Sequence, residues 1–509
     1  MRTLLASTAA LTLLSWNGTA EAAWQQASSK HFVVYANDRP KAVEEFATRL
    51  ERFDRAARGL LKMSDPVVGD GNRVTVYVLP TVKDVQMLAR DGFIAGFYTG
   101  RVSGPLAYIA QSDDDRTKGV LYHEYAHHLM MQQLDQPYPE WYVEGFAEYL
   151  STPEFKRDGS VGLGSPPQDR GWALLNAKQL PTEALLGQSY GETTKLSEEL
   201  RESLYGRGWL LYHYLTMEPT RQGQLSRYVQ GIGRGTPPLA SAQAAFGDLK
   251  QLDKDLSSYL HRSTVRSWNV AWTGAAPPIE VRPLTEGASS VIVLRGRIAY
   301  GLKGAELEQA SAQVRAIEAR FPGDELVERT LAEVELEAGH AAAAEAAADR
   351  AVKAAPTSSE ALILKGRAMA LRADALEGDA RGKFFDEARE TFIAANKLDT
   401  ENPEPLMEFY TAFLTEGIRP NANAISALHY ASDLAPQDLG VRVNSAIAYL
   451  NQDKGKEARA TLVPVAYSPH AAGVGDLARR MIAKIDAGDT KGALQTLATN
   501  SNSEQATAH

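Results

Sequence analysis

The chain has 509 residues, 44% of them hydrophobic and 23% charged, with a formal charge of -9 and no cysteine. That length exceeds what one hydrophobic core holds and implies two or three domains. The acidic balance leaves no positive field for a phosphate backbone, so no nucleic-acid partner is expected, and the lack of cysteine excludes disulfides, thiolate metal sites and an acylated lipobox cysteine.

Residues 1–23 read as a cleaved signal peptide. Arg2 is a short positive start, 3–16 is a mostly apolar run, and Ala20, Glu21 and Ala22 put small residues at a cleavage site. The run is shorter than the ~18 to 20 residues of a membrane span. No later stretch is long and apolar enough either, so the expected location is the periplasm or the exterior of a bacterial cell, with no membrane span after cleavage.

Next comes a stretch expected to fold as one domain over 24–272. Residues 30–36 (KHFVVYA) read as a strand by their aromatic and β-branched content, 42–61 as an amphipathic helix, and 73–79 (RVTVYVL) as a second strand. A short helix over 81–90 follows, with Thr81 as its N-cap. Phe97 and Tyr98, then Gly100 and Gly104, then 105–110 (PLAYIA) form a hairpin. The order β, α, β, α, β implies an α+β domain. A helix from Asp115 or Thr117 to about Leu134 is stopped by Pro137 and Pro139, and 141–150 starts another. Residues 151–181 give little periodic signal; helices return at 196–217 and 252–264.

The two helices around Pro137 carry the chemistry. His123-Glu124-Tyr125-Ala126-His127 places two imidazoles on one helix face, one turn apart, with Glu124 beside them; seventeen residues on comes Glu144-Gly145-Phe146-Ala147-Glu148. The competing reading is a pair of packed core histidines. A catalytic zinc wants three protein ligands and an open position, so a carboxylate is needed beside His123 and His127. Glu144 is the choice, with Glu148, one turn later, hydrogen-bonding a ligand histidine; the reverse assignment of the two stays open. Glu124 is the expected general base, taking a proton from the attacking water and passing it to the leaving amine. His128 points about a third of a turn away and reads as packing or surface. Asp113, Asp114 and Asp115 read as favourable charges at a helix start.

Together HEYAH and VEGFAEY resemble the gluzincin metallopeptidases, the clan of thermolysin and the zinc aminopeptidases, and most closely the bacterial peptidase-MA-like domains that often carry tetratricopeptide repeats. The resemblance implies zinc on His123, His127 and Glu144. It also implies an oxyanion-stabilising tyrosine, for which Tyr205 in Tyr205-Gly206-Arg207-Gly208 is similar to the Tyr-x-x-Gly string of the aminopeptidase branch; a buried helix tyrosine is the alternative there, with His213 a weaker substitute. Val143 stands where many relatives have asparagine. The Gly-x-Met-Glu-Asn string that reads a free amino terminus is missing, which favours endopeptidase action. Leu106, Ala107 and Tyr108 are expected either to pair with an extended peptide by β-addition or merely to form the sheet edge.

Residues 273–287 read as a linker, with the clearest signal at 272–278 (WTGAAPP). Beyond it Ala, Leu and Glu dominate. Pro322, Pro356, Thr400, Pro436 and Pro469 recur at intervals close to 34 residues, except that the second interval is ten longer, which a loop insertion over 372–382 would explain. That period is the signature of tetratricopeptide repeats. Small residues fall in register with it: Ala332, Ala344 and Ala351, then Gly366, Ala388 and Ala395, then Ala412, Ala424 and Ala431, then Ala446 and Ala458. The array is expected over 288–497, capped by 471–497, with a disordered tail at 498–509. Its first repeat matches poorly at Arg297 and Ile298. The whole reads as a zincin-like peptidase domain followed by an all-α solenoid. The expected activity is zinc-dependent hydrolysis of a peptide or protein substrate, with the array recruiting a protein partner or that substrate; the alternative is a non-catalytic periplasmic scaffold.

Overall fold

In the computed structural model, residues 24–497 are described apart from 113–114, 134–135, 177–178, 188–196, 263, 273–274, 276 and 469–470. The expected signal peptide, the expected tail, and Asp113 and Asp114 lie outside the described residues.

A six-stranded sheet organises the front of the chain: β1 (Trp24–Ser28), β2 (Phe32–Asn37), β3 (Val74–Leu79), β4 (Gly96–Thr99), β5 (Leu106–Ala110) and, far along the chain, β9 (Glu280–Pro283). Their order is β4-β5-β3-β2-β1-β9. β2, β3 and β5 run parallel, and the outer strands pair antiparallel. The central strands read as unbroken apolar runs because both faces are buried. Phe32, Val34, Val76, Ala107 and Ile109 point to the face covered by α1 (Pro40–Leu61) and the histidine helix α3 (Asp115–Met131). Val33, Tyr35, Tyr77 and Tyr108 point to the other face, against the helical array. The helix α2 (Val82–Ala89) starts on the expected N-cap: Thr81 and Asp84 exchange side-chain and backbone hydrogen bonds in a capping box.

Two expectations are corrected here. Leu106, Ala107 and Tyr108 are not at the sheet edge, because β5 is paired on both sides, with β3 and with β4. The edge strands are β4 and, at the far end, β9. Residues 273–287 are not merely a linker, since β9 lies within them and adds a strand to β1; Trp268–Val270 (β8) completes a small sheet with β6 (Glu154–Phe155) and β7 (Val161–Leu163).

Behind the sheet stands a tetratricopeptide-like array of helical hairpins: α11 (Glu286–Gly301) with α12 (Ala305–Glu318), α13 (Glu325–Glu337) with α14 (Ala341–Ala354), α15 (Ser359–Asp374) with α16 (Gly378–Leu398), α17 (Pro403–Glu416) with α18 (Ala422–Leu434), and α19 (Leu439–Leu450) with α20 (Gly455–Ala466). α21 (Ala472–Asp486) packs on the last pair. The small residues set the spacing. Ala332, Ala344, Ala351, Ala388 and Ala395 are fully buried, and a Cβ on Gly366 would lie 2.5 Å from the Phe392 ring. The ten additional residues of the third repeat do not form a loop: they lengthen the hairpin, and α16 runs for 21 residues.

The first repeat departs from the pattern because α11 packs on the sheet. Gly296 lies against the rings of Tyr77 and Tyr108, and Tyr108 Oη donates to Gly296 O at 2.8 Å. Tyr35, Tyr77, Tyr108 and Phe97 form a stacked row there, at centroid spacings of 5.5, 5.2 and 4.8 Å. Arg295 and Arg329 share the half-buried Glu360 beside that row, and the two guanidinium groups hold its carboxyl down at about 2 against the upward pull of desolvation. No described helix is long and apolar enough to cross a membrane.

Candidate metal centre

α3 buries Leu121, Tyr122, Tyr125, Ala126 and Leu129 in the core. That leaves His123 and His127, one turn apart, turned toward α4 (Glu140–Leu150). The glycine of the second motif brings α4 onto α7 (Glu198–Met217). A Cβ on Gly145 would stand 2.4 Å from Gly208 O, and one on Gly208 would meet Trp141 O at 2.9 Å. The two backbones touch, and Tyr205 on α7 comes to the histidines, with its ring centroid 6.2 Å from that of His123.

Three ligand atoms converge. His123 Nε2 and His127 Nε2 are 3.1 Å apart, and Glu144 Oε2 lies 3.3 Å from the first and 3.5 Å from the second. A tetrahedral zinc with bonds of about 2.0–2.1 Å has ligand-to-ligand edges of about 3.3–3.4 Å, so the donor triangle fits that ion. Glu148 is on the other side of the ring, with Oε1 3.6 Å from His123 Nδ1, outside the triangle. His127 and both glutamates are buried, and Glu124 is partly exposed.

The charges are mutually reinforcing. Burial opposes a charged His123, but the Glu144 hydrogen bond and the charges of Glu148, Glu144 and Glu124 outweigh it and raise its pKa to about 9. Burial likewise opposes ionised Glu144, yet the two histidines hold it well below the usual carboxylate range. The negative charge of Glu144, with burial, raises the Tyr205 hydroxyl above its ordinary value. It stays protonated and able to donate.

Two participants escaped the sequence reading. Arg170, on α5 (Gln168–Asn176), donates from Nε to Glu148 Oε1 at 3.1 Å, pairs with Glu202, and lies 4.8 Å over the Tyr205 ring. It sits in the segment with little periodic signal. Tyr98 on β4 is 2.8 Å from His128 Nδ1. Arg58 Nη1 donates to Gln132 Oε1 at 3.3 Å, which turns the Gln132 amide nitrogen toward His128 Nε2 at 3.1 Å. The His128 proton is therefore on Nδ1 and is given to Tyr98. Burial, helped by Arg58 and His31, pushes His128 down to about 3. His128 is thus a buried link between α3 and β4. His213 is removed from the site: fully buried, it bonds Arg266 O and Tyr259 Oη.

A second histidine cluster is internally satisfied. His31 Nδ1 meets Glu51 at 2.8 Å and its Nε2 meets Asp65 at 2.9 Å, while Asp54 takes Arg58 and Tyr125, each at 2.7 Å. It ties β2 to α1 and α3.

No family model matches the chain, and no curated protein matches it. Among solved structures, it is similar to TTC0263, a thermophilic TPR protein in Thermus thermophilus, at 18% identity over 39% of this chain and 98% of that one, with a TM-score of 0.32. It is also similar to yeast Tom70, at 12% identity over 70% of this chain and 72% of that one, with a TM-score of 0.30. At TM-scores below 0.5 neither likeness says more about the fold than the chain's own helical hairpins do.

Proposed function

We propose that the chain is a zinc-dependent peptide-bond hydrolase, acting within chains, braced by its helical array. The observation that supports this reading is the triangle of His123 Nε2, His127 Nε2 and Glu144 Oε2, with edges of 3.1, 3.3 and 3.5 Å. His123, His127 and Glu144 would hold the ion, and Glu148 would orient His123 through Nδ1, itself held by Arg170. A zinc ion there supplies Lewis acidity toward a carbonyl and toward water. Glu124, next to a ligand and partly exposed, takes the proton of the attacking water and returns it to the leaving nitrogen. Tyr205, kept protonated by the acids around it, donates to the carbonyl oxygen as charge builds on it. Strand β4, at the sheet edge, is the place for an extended peptide to pair. The test is metal content of the full chain, with hydrolysis of an unfolded protein by wild type and by Glu124→Gln. About one zinc per chain, with hydrolysis lost in the variant, is the expected result; equal hydrolysis by both sinks the mechanism.

The array favours a second reading, a non-catalytic interaction scaffold, since tetratricopeptide-like hairpins are protein-binding surfaces and here they already hold the sheet of their own chain. A stoichiometric partner retained uncleaved, with no hydrolysis of peptide libraries by zinc-loaded protein, would select it.

A further inference from the structure

The turn between α18 and α19, with the first turn of α19, touches both the chain leaving β4 and the end of α3. On one side it meets the chain leaving edge strand β4. Asp438 caps α19 with one carboxylate oxygen, accepting from Val441 N at 2.9 Å, and accepts from Val102 N at 2.7 Å with the other. A Cβ on Gly100 would lie 2.7 Å from Gln437 O, so the two backbones are in direct contact. Val102 packs beside the apolar cluster of Tyr410, Phe413 and Leu428 in the array.

On the other side the same turn holds the end of the metal helix. Arg442 donates from Nε to Pro436 O at 2.7 Å and from Nη2 to Met131 O at 3.3 Å. Met131 is the last residue of α3, one turn past His127. A guanidinium at a helix C-terminus meets the negative end of its dipole. A third contact fixes the turn itself: Asn72 donates to Leu434 O at 2.6 Å and accepts from Gln437 at 3.2 Å. Between these two points, Tyr98 on β4 bonds His128 on α3.

These contacts do not fit an arm that swings out to collect partners. The segment expected as a linker contributes β9 to the sheet, and α11 is packed on the aromatic row of the sheet's rear face. We propose that the array acts in cis, as a brace that fixes the spacing between edge strand β4 and metal helix α3, with Asp438 and Arg442 as positioning residues. The catalytic part of this inference rests on the hydrolase reading above; the mechanical part does not. Displacements of about 1 Å in a reacting pair cost on the order of 100-fold in rate, so a brace that ties β4 to the end of the metal helix acts on kcat.

The experiment uses full-length chain carrying Gly100→Ala, which wedges a methyl group against Gln437 O, and Arg442→Gln, with Arg442→Lys as the conservative control. Hydrogen exchange over 96–99 and 128–131, zinc content, and kcat and KM on a short peptide and on an unfolded protein are measured. Expected are about ten-fold faster exchange in both segments, unchanged zinc, and a kcat about ten-fold lower at nearly constant KM for both substrates, with Arg442→Lys recovering most of the loss. Unchanged exchange overturns the brace. So does a defect confined to KM for the unfolded protein, the signature of a recruiting array. Faster exchange in a chain whose wild type hydrolyses nothing supports the brace and sinks the hydrolase reading alone.

Discussion

The Nε2 atoms of His123 and His127 stand 3.1 Å apart, a distance at which they can share a proton or an ion. Glu144 completes the triangle and Glu148 stands outside it. Removing Glu144 and removing Glu148 should therefore differ in kind. Glu144→Ala is expected to abolish tight zinc binding in a chelator-competition titration, whereas Glu148→Gln is expected to weaken it by about 10–100-fold. Equal losses would return the assignment of the two glutamates to the open state in which the motif alone leaves it.

Glu124 and Tyr205 touch the reaction without belonging to the triangle. Glu124→Gln is expected to lower kcat by about 100–10,000-fold with zinc content unchanged. Tyr205→Phe, which removes one donor to the developing oxyanion, is expected to cost about 100–1,000-fold in kcat with little change in KM. Steady-state kinetics on zinc-loaded protein reads both; a Tyr205→Phe variant at wild-type rate would reduce Tyr205 to a packing residue.

Gly145 and Gly208 form a backbone contact on which the site's geometry depends. Gly145→Ala places a methyl group 2.4 Å from Gly208 O, with no flexible side chain to give way. The expected result is a loss of about 1–3 kcal/mol in a denaturant melt. Zinc affinity should fall with it, because α4 carries Glu144. Gly171→Ala, inside α5 with a Cβ that meets nothing within 4 Å, is the control and should melt no lower than wild type, the helix gaining up to about 1 kcal/mol.

His31 gives the protein a pH dependence separate from the metal centre. Burial disfavours its charge, but Glu51, Asp54 and Asp65 outweigh this and raise its pKa above 6.5; Arg58 and His128, packed nearby, do not reverse the shift. A raised folded value means the stabilisation is fully present below the unfolded pKa and is lost as pH rises through the folded one. The stability difference between wild type and His31→Gln is thus expected to shrink from pH 6 toward high pH. Urea melts of the two proteins at matched pH measure it, and the subtraction leaves out His123, which both share. A difference that grows with pH would contradict the assignment.

Much of the site was legible in the chain itself. The i, i+4 spacing puts His123 and His127 on one helix face in any fold, and the period near 34 residues with small residues in register is a local consequence of helices that touch. The capping box at Thr81 and the strands β2 and β3 follow from equally local rules. The β1 strand, α8 (Gln224–Gly233) and α9 (Pro238–Phe246) carried too little contrast to be read.

What only the tertiary structure decided is what depends on contacts far apart in sequence. Which glutamate faces the histidines is set by the approach of Gly145 to Gly208, 63 positions away. Leu106, Ala107 and Tyr108 look like the open edge of a hairpin with β4 until β3 pairs in parallel on their other side, and residues 273–287 look like a linker until β9 finds β1. The array was legible as an array, but not as a brace. Periodicity records how each helix packs on its neighbour in the chain; where the finished solenoid comes to rest is fixed by single contacts such as Asp438 on Val102 and Arg442 on Met131, which leave no periodic trace.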